Sequence, residues 1–203
     1  MFDKQLRVPK ERALVPVARV LPPSLSPLTL SIGSLVLTLG AAAAAWAGLW
    51  GFAVVLWLSG RVLDGLDGTV ARERGESSDA GGLTDIVLDT VGYAAVPLGI
   101  AANLDSRTTW IAVAILMAAF YVNAVSWAYS AALFEKRDAG ANRHGEMTST
   151  TMPTGLVEGT ETIVFYTVIL AFSQWATTVM VVMAAAVALG VLIRLVRVVG
   201  MLR

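Results

Sequence analysis

The sequence predicts an all-α integral membrane protein with six transmembrane helices and an amphipathic N-terminal helix on the membrane surface. Of the 203 residues, 56% are hydrophobic, and the mean hydropathy is +0.70. That is too apolar for a soluble domain of this size. The apolar residues also form six long runs. We expect a single domain over residues 1–203, with residues 1–26 as a cytoplasmic juxtamembrane segment and residues 27–203 as the six-helix bundle.

The N-terminal segment is basic and precedes the first long apolar run. Its first 12 residues are polar and include the basic residues Lys4, Arg7, Lys10 and Arg12. Residues 13–21 would form a short helix with one apolar face, which is typical of a helix lying on a membrane surface. A solvated basic tail explains the same composition equally well. Pro22 and Pro23 are expected to end the segment, because proline interrupts a helix.

Six apolar runs follow, and each is long enough to cross the ~30 Å hydrocarbon core of a bilayer. They extend from Pro27 to about Trp46, from Leu49 to about Val70, from Gly81 to about Ala102, from Trp110 to about Phe134, from Pro153 to Phe172, and from about Thr177 to Val199. The first run contains Gly33, Gly40 and the alanines at 41–45. These small residues would allow close packing against neighbouring helices.

Two pairs of aspartates lie at the end of the second run and the start of the third. Asp64 and Asp67 are three residues apart, and Asp85 and Asp89 are four apart, so each pair would project from one face of a helix. Two consecutive spans run in opposite directions, so both pairs would reach the same membrane face. Ionisable residues at such a depth are costly and mark a functional site.

Clustered carboxylates repel one another, so they either take up protons or bind cations. Carboxylate oxygens are hard ligands that suit Mg²⁺ or Mn²⁺. Two ions bridged by shared carboxylates would serve phosphoryl-type chemistry. The chain has no Cys and one His, which makes a zinc site of the usual kind improbable.

The stretch from Asp64 to Asp89 resembles the CDP-alcohol phosphotransferase family, also called CDP-alcohol phosphatidyltransferases. The family pattern is D-x2-D-G-x2-A-R-x8-G-x3-D-x3-D. This chain supplies every fixed position, namely Asp64, Asp67, Gly68, Ala71, Arg72, Gly81, Asp85 and Asp89. The stretch starting at Glu158 is similar to a little-characterised bacterial subgroup of the family.

The resemblance implies an enzyme that transfers substituted phosphate groups in phospholipid biosynthesis. An alcohol would attack the β-phosphorus of a CDP-linked donor, usually CDP-diacylglycerol, and release CMP. By the resemblance, the metal ligands are Asp64, Asp67, Asp85 and Asp89, with Asp89 also the general base. The donor-binding residues implied in the same way are Gly68, Ala71, Arg72 and Gly81. The cofactor would be Mg²⁺ or Mn²⁺, with two ions.

Outside the motif, an acceptor pocket is predicted at Arg61, Glu158, Glu161 and Arg194. Arg61 lies one helical turn before Asp64, where it would either reach substrate or pair with an aspartate. Glu158 and Glu161 would either line the pocket or cap the start of the fifth span, where negative charge is favourable. Arg194 would either bind an acceptor phosphate or anchor the last span at the positive side of the membrane.

Lysines and arginines indicate the orientation. Nearly all of them lie in the N-terminal segment, the loop that begins at Arg72, residues 135–152 and the C-terminus, whereas the opposite loops hold only Arg107. Both termini and the aspartate site are therefore expected to face the cytoplasm. The membrane is expected to be the inner membrane of the cell. The expected partners are a lipid donor, a small alcohol and membrane lipids, with no nucleic acid. Family members are commonly homodimers.

A membrane cation transporter that uses the carboxylate cluster is the alternative function. Its acidic residues would be expected near the middle of the membrane, on broken helices in related repeats. The aspartates here lie near one face, beside Arg72, in a sequence without such a repeat. Prenyl-transfer enzymes also use aspartates with Mg²⁺, but their DDxxD-like runs do not occur in this sequence.

Overall fold

The computed structural model describes residues 3–136 and 155–202, and all regular structure in these residues is helical. The helices are α1 (Asp3–Val20), α2 (Pro27–Trp46), α3 (Trp50–Arg74), α4 (Asp79–Leu104), α5 (Arg107–Lys136), α6 (Gly159–Ala171) and α7 (Ala176–Leu202), with a 3₁₀ turn at Ser173–Trp175. The predicted all-α class is thus confirmed. Most of the predicted loop 135–152 and the predicted start of the fifth run at Pro153 lie outside the described residues.

Four helical segments in the described ranges are long and apolar enough to cross a membrane. These are α2, α4, α5 and the segment Ser173–Met201, which contains α7. Helix α3 has 25 residues but carries the charged residues Arg61, Asp64 and Asp67 near its middle. Helix α6 has 13 residues and rises about 20 Å, less than the ~30 Å of a hydrocarbon core. The six-span count stays a prediction, as does the surface position of α1.

A tight connection between α3 and α4 fixes the region of the aspartates. Gly75 ends α3 in the left-handed conformation, with φ of 69°, which glycine adopts without steric cost. The backbone N–H of Glu76 then donates to the carbonyl of Ala71 at 2.8 Å. Ser78 caps α4, and its Oγ accepts a hydrogen bond from the N–H of Gly81 at 3.1 Å. The chain therefore reverses within four residues.

Helix α2 packs against both α3 and α4. Glycines on the two flanking helices make room for one side chain of α2, Thr38. A Cβ at Gly60 would lie 3.0 Å from the Thr38 Oγ1, and one at Gly92 would lie 2.9 Å from its Cγ2. Small residues of this kind let helix backbones approach closely. The buried face of α2 therefore meets α3 on one side and α4 on the other.

An aromatic cluster joins α3, α4 and α6. Trp57 stacks on Tyr166 with ring centroids 5.1 Å apart, and Tyr93 meets Tyr166 edge to face at 5.8 Å. The Tyr166 hydroxyl donates to the backbone carbonyl of Tyr93 at 2.6 Å, and the Trp57 Nε1 donates to the Thr167 Oγ1 at 3.2 Å. Both polar atoms of the buried rings thus have partners, as buried tyrosine and tryptophan usually do. The short helix α6 is fastened to the site-bearing pair α3 and α4.

We expect Gly99→Ala to destabilise the protein by about 2 kcal/mol, because overpacking a tight contact forces the backbones apart. A Cβ at Gly99 would overlap the carbonyl of Ala42 on α2. In thermal unfolding of the protein in detergent micelles, this loss corresponds to a decrease in Tm of roughly 4–8 °C.

Gly51→Ala is the matched control. A Cβ at Gly51 has nothing within 4 Å, and alanine is favoured over glycine in a helix. Its Tm should stay at or slightly above that of the native sequence. Equal Tm values for the two variants would contradict the close approach of α2 and α4.

Candidate active site

The two aspartate pairs meet because α3 and α4 run antiparallel. Trp57 on α3 faces Tyr93 on α4, and Arg61, one turn further along α3, contacts Asp89, one turn earlier on α4. The same progression brings Asp64 next to the stretch of α4 that carries Asp85 and Asp89. The structure therefore brings the predicted site aspartates together at one end of this helix pair.

The four carboxylates interact with one another electrostatically. The charges of Asp89 and Asp85 act on Asp64, and those of Asp67 and Asp89 act on Asp85. Asp67 is buried at 4% exposure, and its Oδ2 accepts a hydrogen bond from the Ser31 Oγ at 2.5 Å. Four anions at such close range need compensating cations or donors.

Arg61 supplies one such cation from inside the cluster. Its Nη1 donates to the Asp89 Oδ1 at 2.6 Å and to the Asp64 Oδ1 at 3.3 Å. Its Nη2 donates to the Ser34 Oγ and to the Thr38 Oγ1, both at 3.1 Å. Of the two interpretations of Arg61 from the sequence, the structure shows the pairing with aspartates.

The chemistry of the four aspartate side chains suits a hard divalent cation, because carboxylate oxygens are the ligands that such ions prefer. In the side-chain arrangement described for residues 9–136 and 155–201, no group of three or more His, Asp or Glu side chains is placed to hold a metal ion. Arg61 engages two of the four carboxylates instead. A divalent cation would therefore compete with Arg61 for Asp64 and Asp89.

The predicted donor-binding residues follow the aspartates along α3 and begin α4. A Cβ at Gly68 would lie 3.1 Å from the Arg72 Nη1, so the absence of a side chain there makes room for the guanidinium. Gly81 lies in the first turn of α4, and its N–H is held by the Ser78 cap. Ala71 is partly buried.

Arg72 forms a two-pronged ion pair with helix α1. Its Nε and Nη2 donate to the two carboxylate oxygens of Glu11 at 2.8 and 2.6 Å. This fork geometry is the one in which arginine binds carboxylates and phosphates. The group predicted to bind donor phosphate is therefore bound to an anionic side chain of the same protein in this structure.

Helix α1 also brings a cation to the aspartates. A Cβ at Gly65 would lie 2.6 Å from the Cε of Lys10 and 3.1 Å from its Nζ. The Lys10 charge acts on both Asp67 and Asp85. The sequence interpretation treated Lys10 only as part of a basic segment. The sequence carries no signal for this contact, because it depends on how α1 packs against α3.

The glutamates predicted for the acceptor pocket begin α6. Glu158 is the N-cap of this helix and Glu161 its third residue, and they form a reciprocal capping box. The Glu158 N–H donates to the Glu161 Oε2 at 3.1 Å, and the Gly155 N–H donates to the Glu158 Oε1 at 3.0 Å. The capping alternative is confirmed for both residues.

Arg194 is a buried residue of α7 that faces α5. It is 4% exposed, and its Nη1 donates to the Asn123 Oδ1 at 2.9 Å and to the Ser126 Oγ at 3.0 Å. The charge of Glu158 also acts on it. A Cβ at Gly155 would lie 2.8 Å from its Nη2. Arg194 thus joins α7 to α5 and to the segment before α6.

Three hydroxyl residues of α2 were missed as site residues. Ser31 binds Asp67, and Ser34 and Thr38 bind Arg61. Their spacing of three and four residues places them on one helical face. That pattern was readable in the sequence, but a small-residue packing face explains it just as well.

The regular structure of the described residues is all helical, and four of its segments are long and apolar enough to cross a membrane. Together with the four aspartates gathered at one end of the helix pair α3 and α4, they define a membrane protein with a candidate polyanionic site for divalent cations. Comparison with known proteins agrees with this class. Residues 24–192 match the family described as CDP-alcohol phosphatidyltransferase. Because this match covers most of the sequence, the chain belongs to the CDP-alcohol phosphatidyltransferase family.

One curated relative and two solved structures extend the comparison. The chain is 37% identical over 123 residues to the inner membrane protein YnjF of Escherichia coli, a match that covers 61% of this chain and 58% of the relative's length. The phosphatidylinositol phosphate synthase PgsA1 of Mycobacterium tuberculosis with bound CDP-DAG has the same fold, with a TM-score of 0.72, 22% identity, and coverage of 92% of this chain and 94% of that chain. Its complex with manganese and citrate gives a TM-score of 0.70 at 20% identity, covering 91% and 88% of the two chains.

Proposed function

We propose that the protein transfers a phosphatidyl group from CDP-diacylglycerol, or a related CDP-linked donor, to an alcohol and releases CMP. The observation that carries the proposal is the convergence of Asp64, Asp67, Asp85 and Asp89 from two antiparallel helices, in a chain that belongs to this family. The complexes of PgsA1 with CDP-DAG and with manganese support the same donor class and the same kind of metal.

The four aspartates would hold Mg²⁺ or Mn²⁺, as two ions, with Asp89 also accepting the proton of the attacking alcohol. Bound divalent ions would neutralise the charge of the diphosphate and of the departing CMP. The new bond forms between the alcohol oxygen and the β-phosphorus, and the bond from that phosphorus to the CMP oxygen breaks. Asp89 suits the role of base because its side chain is only partly buried and Arg61 holds one of its oxygens at 2.6 Å.

The donor would lie along Gly68, Ala71, Arg72 and Gly81, where the glycines let the nucleotide approach the helix backbone. The acceptor would bind close to a second set of residues, namely Arg61, Glu158, Glu161 and Arg194. Of the two arginines in this set, we assign an acceptor phosphate to Arg194, because it binds the neutral side chains of Asn123 and Ser126, whereas Arg61 binds two aspartates. The alcohol itself is left open by this proposal.

We place the protein in the inner membrane with both termini and the active site cytoplasmic. The distribution of lysines and arginines supports this orientation. With both termini on the same side, the chain must span the membrane an even number of times. Six spans result if α3 and α6 span the membrane in addition to the four long apolar segments. We further propose that residues 1–203 form a single domain. The protein would form a homodimer, which the small residues on the apolar helices permit.

Turnover should require a divalent cation and Asp89. Purified protein with CDP-diacylglycerol and Mn²⁺ or Mg²⁺ should release CMP with one member of a panel of alcohols, and EDTA should abolish the release. In Asp89→Asn we expect turnover to fall by about 100-fold or more, because the base is lost, while donor binding is retained.

Asp79→Asn is the matched control, because Asp79 is an exposed aspartate in the first turn of the same helix. It should keep near-native turnover. Metal-dependent CMP release also separates the transferase from the cation transporter, which would carry metal into vesicles without CMP release. Undiminished turnover in Asp89→Asn would remove Asp89 as the base.

Arg72 should contribute directly to donor affinity. We expect Arg72→Ala to weaken CDP-diacylglycerol binding by about tenfold or more, the usual value of a hydrogen-bonded charge. Glu11→Gln removes the anion that holds the same guanidinium, so it should leave donor affinity unchanged or raise it. Equal weakening in both variants would instead show that Arg72 acts by fastening α1. Titration of donor into each purified variant measures the difference.

A further inference from the structure

Arg61 is a buried cation whose surroundings hold it against the aspartates. Its side chain is 5% exposed, and the guanidinium carbon lies 5.0 Å from the Trp57 ring centre and 5.3 Å from that of Tyr93. Two hydroxyls of α2 bind Nη2. The aromatic faces and the hydroxyls fix the plane of the group, so that Nη1 points at the carboxylates.

The hydrogen bonds of Arg61 are unevenly distributed. Nη1 has three acceptors, namely Asp89 at 2.6 Å, Asp64 at 3.3 Å and the Tyr93 hydroxyl at 3.3 Å. The Nε is buried and has no hydrogen-bond partner among the described residues. A buried N–H without an acceptor costs free energy. The guanidinium keeps this position even though its Nε is unsatisfied, and we attribute that to its bonds with the two carboxylates.

We propose that Arg61 is the resident counter-cation of the site: it binds Asp64 and Asp89 when no divalent cation is present, and it competes with that cation for the same carboxylates. This inference rests on the proposed divalent site. Arg61 is a positioning residue, because it acts through the carboxylates of Asp64 and Asp89. It keeps the metal-free site folded and sets how tightly the metal binds.

Removal of the charge has opposite effects on stability and on metal affinity. Without Arg61, the carboxylates of Asp64 and Asp89 repel each other with no internal cation between them, so the metal-free protein loses stability. The same uncompensated charge attracts a divalent cation more strongly. A residue that served only packing would lower stability in both conditions and would not tighten metal binding.

The experiment compares Arg61→Gln, Arg61→Lys and Arg194→Gln in the full-length protein in detergent micelles. Thermal unfolding is recorded in EDTA and in saturating Mn²⁺, and Mn²⁺ affinity is measured from the electron paramagnetic resonance signal of the free ion. Arg194 is the matched control, since it is also a buried arginine with an unpartnered Nε among the described residues, yet it binds Asn123 and Ser126.

In EDTA we expect Arg61→Gln to lower Tm by about 5 °C or more, and Mn²⁺ should remove at least half of the difference from the native protein. Its Mn²⁺ affinity should rise by about tenfold or more. Arg61→Lys keeps the charge, so its Mn²⁺ affinity should stay within about threefold of native. Arg194→Gln should lower Tm equally with and without Mn²⁺.

If Arg61→Gln binds Mn²⁺ no more tightly than the native protein, the proposal that Arg61 competes with the cation is wrong. Equal losses of Tm in EDTA and in Mn²⁺ would also contradict it. A native protein that binds no Mn²⁺ would count against the proposed divalent site itself. In that event the EDTA series still decides the counter-cation role: coupling between Arg61→Gln and Asp89→Asn in a double-mutant cycle supports it, and additive losses overturn it.

Discussion

Charge compensation among Asp64, Asp67, Asp85 and Asp89 is the constraint on which the rest of the bundle depends. Four carboxylates that act on one another cannot be packed into a chain this apolar without cations and donors. The fold supplies them from three directions. Arg61 comes from the same helix as the first pair, Ser31 comes from α2, and Lys10 reaches the site from α1. The packing of α1 and α2 on α3 is therefore part of the electrostatics of the site.

Close helix packing and site chemistry depend on the same residues. Gly60 and Gly92 make room for Thr38, and the Thr38 hydroxyl then binds Arg61. A larger residue at either glycine would push α2 outward and take both the hydroxyl and its neighbour Ser34 away from the guanidinium. Arg61 would then hold Asp89 with less orientational control. These glycines lie outside the carboxylate motif, yet they act on the same side chains.

The sequence predicted the parts of the site that depend on spacing and direction along the chain. Asp64 and Asp89 meet because a pair on one helix is followed by a tight reversal and a pair on the next. Contacts that depend on the register between helices were out of reach. Ser31 and its neighbours on α2 share a face by their spacing, but only packing decides that this face meets Asp67 and Arg61. Glu158 and Glu161 are the opposite case, because helix capping is a local interaction and was predicted as an alternative, and the structure shows it as a capping box.

Helix α1 places one positive and one negative side chain at the site, and a bound donor with its cations would bring the same two charges. Lys10 directs a cation toward Asp67 and Asp85, while the adjacent Glu11 places a carboxylate in the fork of Arg72. In the proposed reaction, a diphosphate accompanied by divalent cations would bring a cation to the same aspartates and an anion to the same arginine. Donor binding and the docking of α1 then draw on the same charges. If the donor takes the place of Glu11 on Arg72, the position of α1 and the occupancy of the active site are energetically linked.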